Sequence, residues 1–429
     1  MPRKRVKVLY VCPFAHYAGH LPSNAILETE ALSRAGAEVT LLTFYGIVDK
    51  TKVKVPHIRV LRQMRVKTQL LLNRFLTRPA LLRWPIMVLE NFWTVAVAIR
   101  LKKKLNYDII LLRDGDPFLF VPFLLSLPLR NYNWFVFLIG GIVFAKPRIP
   151  KSQGNRFRMM VYTTAAKLIN CELWKPIYRR SMARNHFLFF IPSRAVKQLY
   201  DSYLQGVFSC RTVFLPYGQG RISIPASKEE ARRHLNLPKD KPLFLCFGVP
   251  HPAKDLETVL RALKDTPDVY LVQAGTHEFS TGQNPTRLAR DYDILDKIII
   301  RDYYIPEEQK AYYFVAADAV IVSYTRQFVG SGSIVLEACV NGTPVIASDN
   351  GELKEVVQAS QVGLLFKSQD ADSLREAMIR FTRLDKEELE SLRANCRRFS
   401  DEFSIDRMAQ QLLEVFAEML SNKGSESTA

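Results

Sequence analysis

A chain of 429 residues is too long for one hydrophobic core and fits two domains. Its 48% hydrophobic and 24% charged residues are those of an ordinary globular protein, not of a disordered or fibrous one. The net charge of +18 is unevenly placed: residues 1–215 carry 34 basic and 10 acidic side chains, residues 216–429 carry 26 and 32. A basic half of this kind faces an anionic partner such as nucleic acid, anionic lipid or a phosphorylated substrate, or is simply a well-solvated surface. The basic half contains no recognised nucleic-acid motif, so no nucleic acid is expected as a partner. The six cysteines, Cys12, Cys171, Cys210, Cys246, Cys339 and Cys396, form no C-x-x-C pair and read as reduced thiols of a cytosolic protein. The start, Met-Pro-Arg-Lys-Arg, leads into a strand-like run without the long apolar stretch of a signal peptide.

Short apolar runs alternate with helical patterns from the first strand onward. Strands are expected over 6–11, 39–44, 108–112, 134–139, 187–191 and 213–215, with a helix over 20–34. Residues 219–240 are polar and hold two prolines, which places a domain junction there. The pattern then restarts: strand 243–247, helix 256–263, strands 269–274 and 297–300, helix 306–316, strand 319–322. Such alternation specifies parallel, doubly wound sheets, and hence two Rossmann-like domains facing a central cleft. We place the domains at 1–218 and 219–404, with a helix over 405–421 packing back on the first and a disordered tail over 422–429. No span suits a membrane crossing; residues 117–129 are uncharged but number only 13. Two stretches, 70–104 and 151–184, interleave Arg and Lys with large apolar residues. That mixture fits a helix lying in a membrane interface, or an amphipathic helix whose apolar face is core.

The most informative segment is 328–355, F-V-G-S-G-S-I-V-L-E-A-C-V-N-G-T-P-V-I-A-S-D-N-G-E-L-K-E. Gly330, Ser331, Gly332 and Ser333 precede a helical run beginning near Ile334 and ending before Gly342. A Gly/Ser turn entering a helix exposes N–H groups at the positive end of the helix dipole, which suits a phosphate. Glu337 lies about a turn into that helix. Upstream, Gly248 follows a strand, and His251 and Lys254 lie three and six residues further on.

This order of motifs resembles the donor-binding domain of GT-B glycosyltransferases, especially the large retaining family 4. The resemblance implies that Lys254 meets the donor diphosphate, with Gly248 and His251 beside it, and stabilises the leaving group electrostatically. It implies that Glu337 binds the ribose hydroxyls. Asp302-Tyr303-Tyr304-Ile305 resembles the loop that holds the nucleobase, with Tyr304 and Ile305 as its contact positions, chiefly through backbone. Ala316-Ala317-Asp318 is the family's structural element before the next strand. The sequence departs from the family at two places. Val249 stands where many members have Arg, and Val329 stands where the first acid of Glu-x7-Glu belongs. Ser331 and Ser333 are the substitutes available to grip the sugar.

In the first domain, Gly19 and His20 follow the first strand where the family has a Gly-rich loop near acceptor and phosphate. Asp114 and Asp116, at a strand's carboxyl end, are candidate general bases for an inverting reaction. Without a base, a retaining reaction uses the donor phosphate. No metal or other cofactor is expected. The resemblance implies transfer of a sugar from a UDP- or GDP-sugar to a hydroxyl of a lipid-linked saccharide or glycolipid, in polysaccharide or glycoconjugate synthesis. The enzyme would be peripheral at the cytoplasmic face of an anionic membrane, contacted by the first domain. Two alternatives stay open: a degenerate GT-B subunit that binds or scaffolds, and a nucleotide-sugar epimerase.

Overall fold

The computed structural model describes residues 5–16, 21–47, 52–61, 80–113, 124–129, 134–138, 175–194, 197–198, 212–215, 218–220, 227–277, 283–326 and 333–421. Gly19, His20, Asp114, Asp116, Gly330, Ser331, Gly332, Val329, the tail 422–429 and most of 151–184 lie outside the described residues.

The chain forms two compact α/β units: 1–147, 155–218 and 405–429 make unit 1, and 148–154 with 219–404 make unit 2. Unit 1 is built on strands β1 (Lys7–Cys12), β2 (Glu38–Thr43), β3 (His57–Arg59), β4 (Ile109–Arg113), β5 (Trp134–Leu138), β6 (His186–Ile191) and β7 (Thr212–Phe214). They form one sheet in the order β3-β2-β1-β4-β5-β6-β7, paired in parallel throughout. The strands are near-continuous apolar runs because helices cover both faces. On one face Leu9, Val11, Ile110, Leu112 and Phe137 pack with Val95 and Ala98 of helix Ala80–Leu105. Register places Phe135 beside Phe187 and Phe137 beside Phe189, and these rings stack with centroids 5.0 and 4.7 Å apart. The other face, including Val8, Tyr10, Leu41 and Leu111, is covered by helices Leu21–Arg34 and Ile405–Ser421. Three polar groups are buried beneath that second layer. Tyr10 donates to Glu28 Oε2 at 2.5 Å, and Arg113 Nη2 lies 3.2 Å from Glu28 Oε1. Burial, reinforced by the Glu28 charge, pushes the Tyr10 phenol well above its usual pKa.

Unit 2 repeats the plan with β8 (Leu243–Phe247), β9 (Tyr270–Ala274), β10 (Ile298–Arg301), β11 (Ala319–Val322), β12 (Val345–Ser348) and β13 (Gly363–Phe366), ordered β10-β9-β8-β11-β12-β13. Helices Glu307–Ala316, Ser333–Val340 and Lys386–Glu402 cover one face; Leu256–Lys264 and Ala371–Thr382 cover the other. The order reverses direction at β8, between β9 and β11. Ligands of doubly wound sheets bind at such switch points, beyond the carboxyl ends of the strands. The segment expected as a polar junction contains the helix Lys228–His234, started by Ser227, whose side chain accepts from the Glu230 N–H. Its Arg232 is buried and donates to Asp318 Oδ2 at 2.7 Å, to Ala316 O at 2.9 Å and to the carbonyls of Pro238, Lys239 and Lys241. Asp318 also accepts from the Leu243 N–H at 2.8 Å, tying β8 to the entry of β11.

Removing Asp318 strands a buried guanidinium. Asp318→Ala is expected to cost about 3 kcal/mol, seen as a fall of several degrees in the melting temperature of unit 2. An unchanged thermal transition would contradict this role.

Candidate active site

The site begins where β8 ends. Gly248 has φ +93°, a left-handed conformation that favours glycine. Beyond it, Pro252–Lys254 makes a single 3-10 turn. That turn directs Lys254 back over the strand end, where Nζ donates to Phe247 O at 3.0 Å. A Cβ on residue 248 would come within 2.6 Å of that Nζ. Gly275, after β9, has φ +137°, and a Cβ there would lie 2.5 Å from Gly248 O. The two glycines thus bring two strand ends together and leave room for the ammonium. Gln273 Nε2 completes the contact by donating to Gly248 O at 3.2 Å.

The half-buried Lys254 has a lowered pKa because burial disfavours its charge; Glu337 and Cys246 oppose the shift. An anion placed beside it would restore the ammonium. His251 caps the same turn, its Nδ1 accepting from the Ala253 N–H at 3.1 Å. The neutral ring therefore carries its hydrogen on Nε2. Burial and the neighbouring Lys254 lower the His251 pKa, which favours this neutral form. The Thr325 N–H donates to Ala253 O at 3.0 Å and fastens the turn to the loop after β11.

Glu337 stands on helix Ser333–Val340. Burial raises its carboxyl pKa, and Lys310 and Lys254 act against that rise. Gln219 Nε2 donates to Glu337 Oε1 at 3.0 Å, and Lys310 Nζ lies 4.0 Å from the same oxygen. Lys310 also pairs with Glu307 at 2.7 Å. Burial works against the Lys310 ammonium, but Glu337 and Glu307 outweigh it and raise its pKa.

The structure brings together Gly248, Lys254 and Ile334, which line one small cavity with Gln273, Ser323 and Tyr324. Ser333 is the first residue of its helix and is exposed. Ile305 is buried in the unit 2 core, so its side chain is not presented to a ligand. Tyr304 is about half exposed, and its partial burial, together with the Glu307 charge, raises its pKa. Sequence reasoning missed Lys310, Gln219 and Gln273, none of which has a spacing signal. It also missed a cluster beside the loop 302–305. His277, two residues after Gly275, makes a short contact through Nδ1 with Asp302 Oδ2. The His277 backbone N–H donates to Asp302 Oδ1 at 2.8 Å, and Asn284 Nδ2 lies 3.1 Å from the ring Nε2. In unit 1, His16 Nε2 lies 3.2 Å from Glu90 Oε1, with both side chains buried, just before the undescribed Gly19 and His20. Among the described residues no group of three His, Cys, Asp or Glu side chains could hold a metal ion.

Two parallel-sheet α/β units with this topology are the GT-B fold. Sucrose-phosphate synthase from Thermosynechococcus elongatus superposes with a TM-score of 0.66 at 20% identity, covering 97% of this chain and 100% of that one. Anabaena HepE, in complex with UDP and glucose, gives 0.63 at 14% identity, covering 96% and 100%. Residues 227–399, nearly all of unit 2, match the family model described as glycosyl transferases group 1. A curated relative, D-inositol 3-phosphate glycosyltransferase of Mycolicibacterium paratuberculosis, is 35% identical over 158 residues, which are 36% of this chain and 35% of the relative. The chain thus spans about a third of the length of the curated relatives it matches.

The two glycines make distinct predictions. Gly275→Ala sets a methyl against backbone and is expected to destabilise by more than about 2 kcal/mol. Gly248→Ala meets chiefly the movable end of Lys254 and is expected to cost less. Thermal melts of the two variants check the order; equal melting temperatures would contradict it.

Proposed function

We propose that this protein is a glycosyltransferase that moves a sugar from a UDP- or GDP-sugar to an acceptor hydroxyl. The observation that carries the reading is the gathering of Lys254 and Glu337 within electrostatic reach at the carboxyl ends of the unit 2 strands. Lys254 sits on the diphosphate, with His251 Nε2–H as a second donor. Glu337 takes the ribose hydroxyls. The N-terminal end of helix Ser333–Val340, opened by Ser333, faces the phosphate and the sugar, and the resemblance gives Gly330, Ser331 and Gly332 the same role. Tyr304 and the backbone at Ile305 lie against the base.

In the transfer, the bond between the sugar's anomeric carbon and the diphosphate oxygen breaks, and a bond to the acceptor oxygen forms. The negative charge that develops on the leaving diphosphate meets the Lys254 ammonium and the helix dipole, which do the work of a metal ion. In the retaining course that the resemblance favours, the leaving phosphate oxygen takes the acceptor's proton. Gly19 and His20 belong to the acceptor side. Asp114 and Asp116 serve as base only if the course is inverting.

The acceptor is a lipid-linked saccharide or glycolipid, met at the cytoplasmic face of an anionic membrane. Helix Ala80–Leu105 supports this placement: Leu89 and Trp93 are exposed at 57% and 55%, and the exposed Arg100, Lys103 and Lys104 follow on the same helix. Among the described residues no helix is long and apolar enough to cross a membrane.

UDP or GDP is expected to raise the melting temperature, because a ligand bound only by the native state stabilises it by mass action. Lys254→Met is expected to weaken that nucleotide roughly tenfold to a hundredfold. Lys254 starts with a lowered pKa, and the diphosphate raises it. Affinity is therefore full below the free-state pKa and falls as pH rises through it, in a window that opens beneath 10.5 and ends at the raised pKa of the complex. Lys254→Met is expected to abolish that slope. Absence of any donor turnover in the wild type would favour the binding-subunit reading, to which Val249 and Val329 give some support; turnover abolished by Lys254→Met and Glu337→Ala would contradict it.

A further inference from the structure

Glu337 is not held symmetrically. Gln219 Nε2 donates to its Oε1 at 3.0 Å, and Lys310 Nζ approaches the same Oε1 at 4.0 Å. Among the described residues neither a hydrogen bond nor an ion pair engages Oε2. One oxygen is anchored and the other is presented.

The two anchors come from distant parts of unit 2. Lys310 projects from helix Glu307–Ala316, one turn from Glu307, which binds its ammonium at 2.7 Å and fixes where it can reach. Gln219 opens unit 2, and its backbone is pinned by a hydrogen bond from its N–H to Phe403 O at 3.1 Å. The Glu337 side chain is 22% exposed and that of Lys310 17%. A carboxylate this far out of water loses hydration, and a nearby cation must offset the loss for the charge to persist. Lys254 also faces it, but Lys310 is the larger influence of the two. Tyr324, packed nearby, has its phenol raised by burial and by the Glu337 charge, so it offers no competing negative charge.

We propose that Lys310 and Gln219 are positioning residues that fix Glu337 through Oε1 and leave Oε2 to accept hydrogen bonds from the vicinal hydroxyls of the donor's ribose. The inference rests on the glycosyltransferase reading above and assigns a specificity to it. A site built around hydroxyl donors rejects an analogue that lacks them, because its acceptor is left without a partner. Lys310 does not touch the nucleotide; it acts through Glu337. Its removal lets the carboxyl take up a proton or turn away, and the gain from the hydroxyls disappears while the rest of the nucleotide binds as before.

The test compares UDP with 2′,3′-dideoxy-UDP by calorimetric titration on the full chain, and GDP with 2′,3′-dideoxy-GDP in the same way if UDP is not bound. The wild type is expected to prefer UDP roughly tenfold to a hundredfold. Lys310→Met is expected to bring the two affinities within about threefold, through loss of UDP affinity with that of the dideoxy compound unchanged. Lys310→Arg is expected to restore part of the preference. Gln219→Leu provides the same measurement at the other anchor if Lys310→Met does not fold. A Lys310→Met protein that keeps the full preference, or weakens both ligands equally, overturns the inference and leaves the donor site standing. A wild type that binds both ligands equally overturns the inference together with the ribose role of Glu337. A wild type that binds neither these nor the guanosine pair overturns it together with the glycosyltransferase reading.

Discussion

The carboxyl end of the unit 2 sheet can gather charge because two chain turns approach each other closer than side chains allow. Gly248 and Gly275 both hold left-handed backbone, and each would collide with what faces it if it carried a Cβ. Their contact draws the ends of β8 and β9 together and opens the space in which Lys254 turns back on the Phe247 carbonyl. The position of that ammonium sets the rest of the site. Burial and this ammonium together lower the pKa of His251, which favours the neutral ring, and the ammonium lies within reach of the Glu337 carboxylate. Charges of opposite sign, each partly out of water, are costly to assemble in an empty site and ready for an anionic, hydroxyl-bearing ligand.

The supporting framework is rigid in the places where this matters. Asp318 binds the buried Arg232 and the start of β8, so the central strands share one polar tie below the site. Above it, the Thr325 N–H bonds the Lys254 turn to the loop after β11. The His277–Asp302–Asn284 cluster does the same for the loop that follows β10. Side chains that must meet a ligand are thus mounted on turns whose backbones are bonded elsewhere, which limits the ordering that binding would require.

Much of this was legible in the sequence, for reasons that differ by residue. Parallel strands buried on both faces read as short apolar runs, so 243–247 and 319–322 agree with β8 and β11 to the residue. The three-residue edge strand His57–Arg59 is too short and too polar to announce itself, and β13 hides in Gly-Leu-Leu-Phe after a helix. Lys254 was legible because its spacing from Gly248 is a property of one local turn. Lys310 and Gln219 were not, because their relation to Glu337 exists only in three dimensions; Gln219 is 118 residues away. Ile305 reads as a contact made chiefly through its backbone, and its side chain belongs to the core.

The central claim is that Lys254 and Glu337 grip opposite parts of one nucleoside diphosphate. A crystal structure of the full chain soaked with UDP or GDP tests it most directly. The account predicts the diphosphate at hydrogen-bonding distance from Lys254 Nζ and a ribose hydroxyl on Glu337 Oε2. A nucleotide seated elsewhere, or one whose ribose turns away from Glu337 while Lys254 stays on Phe247 O, would contradict it.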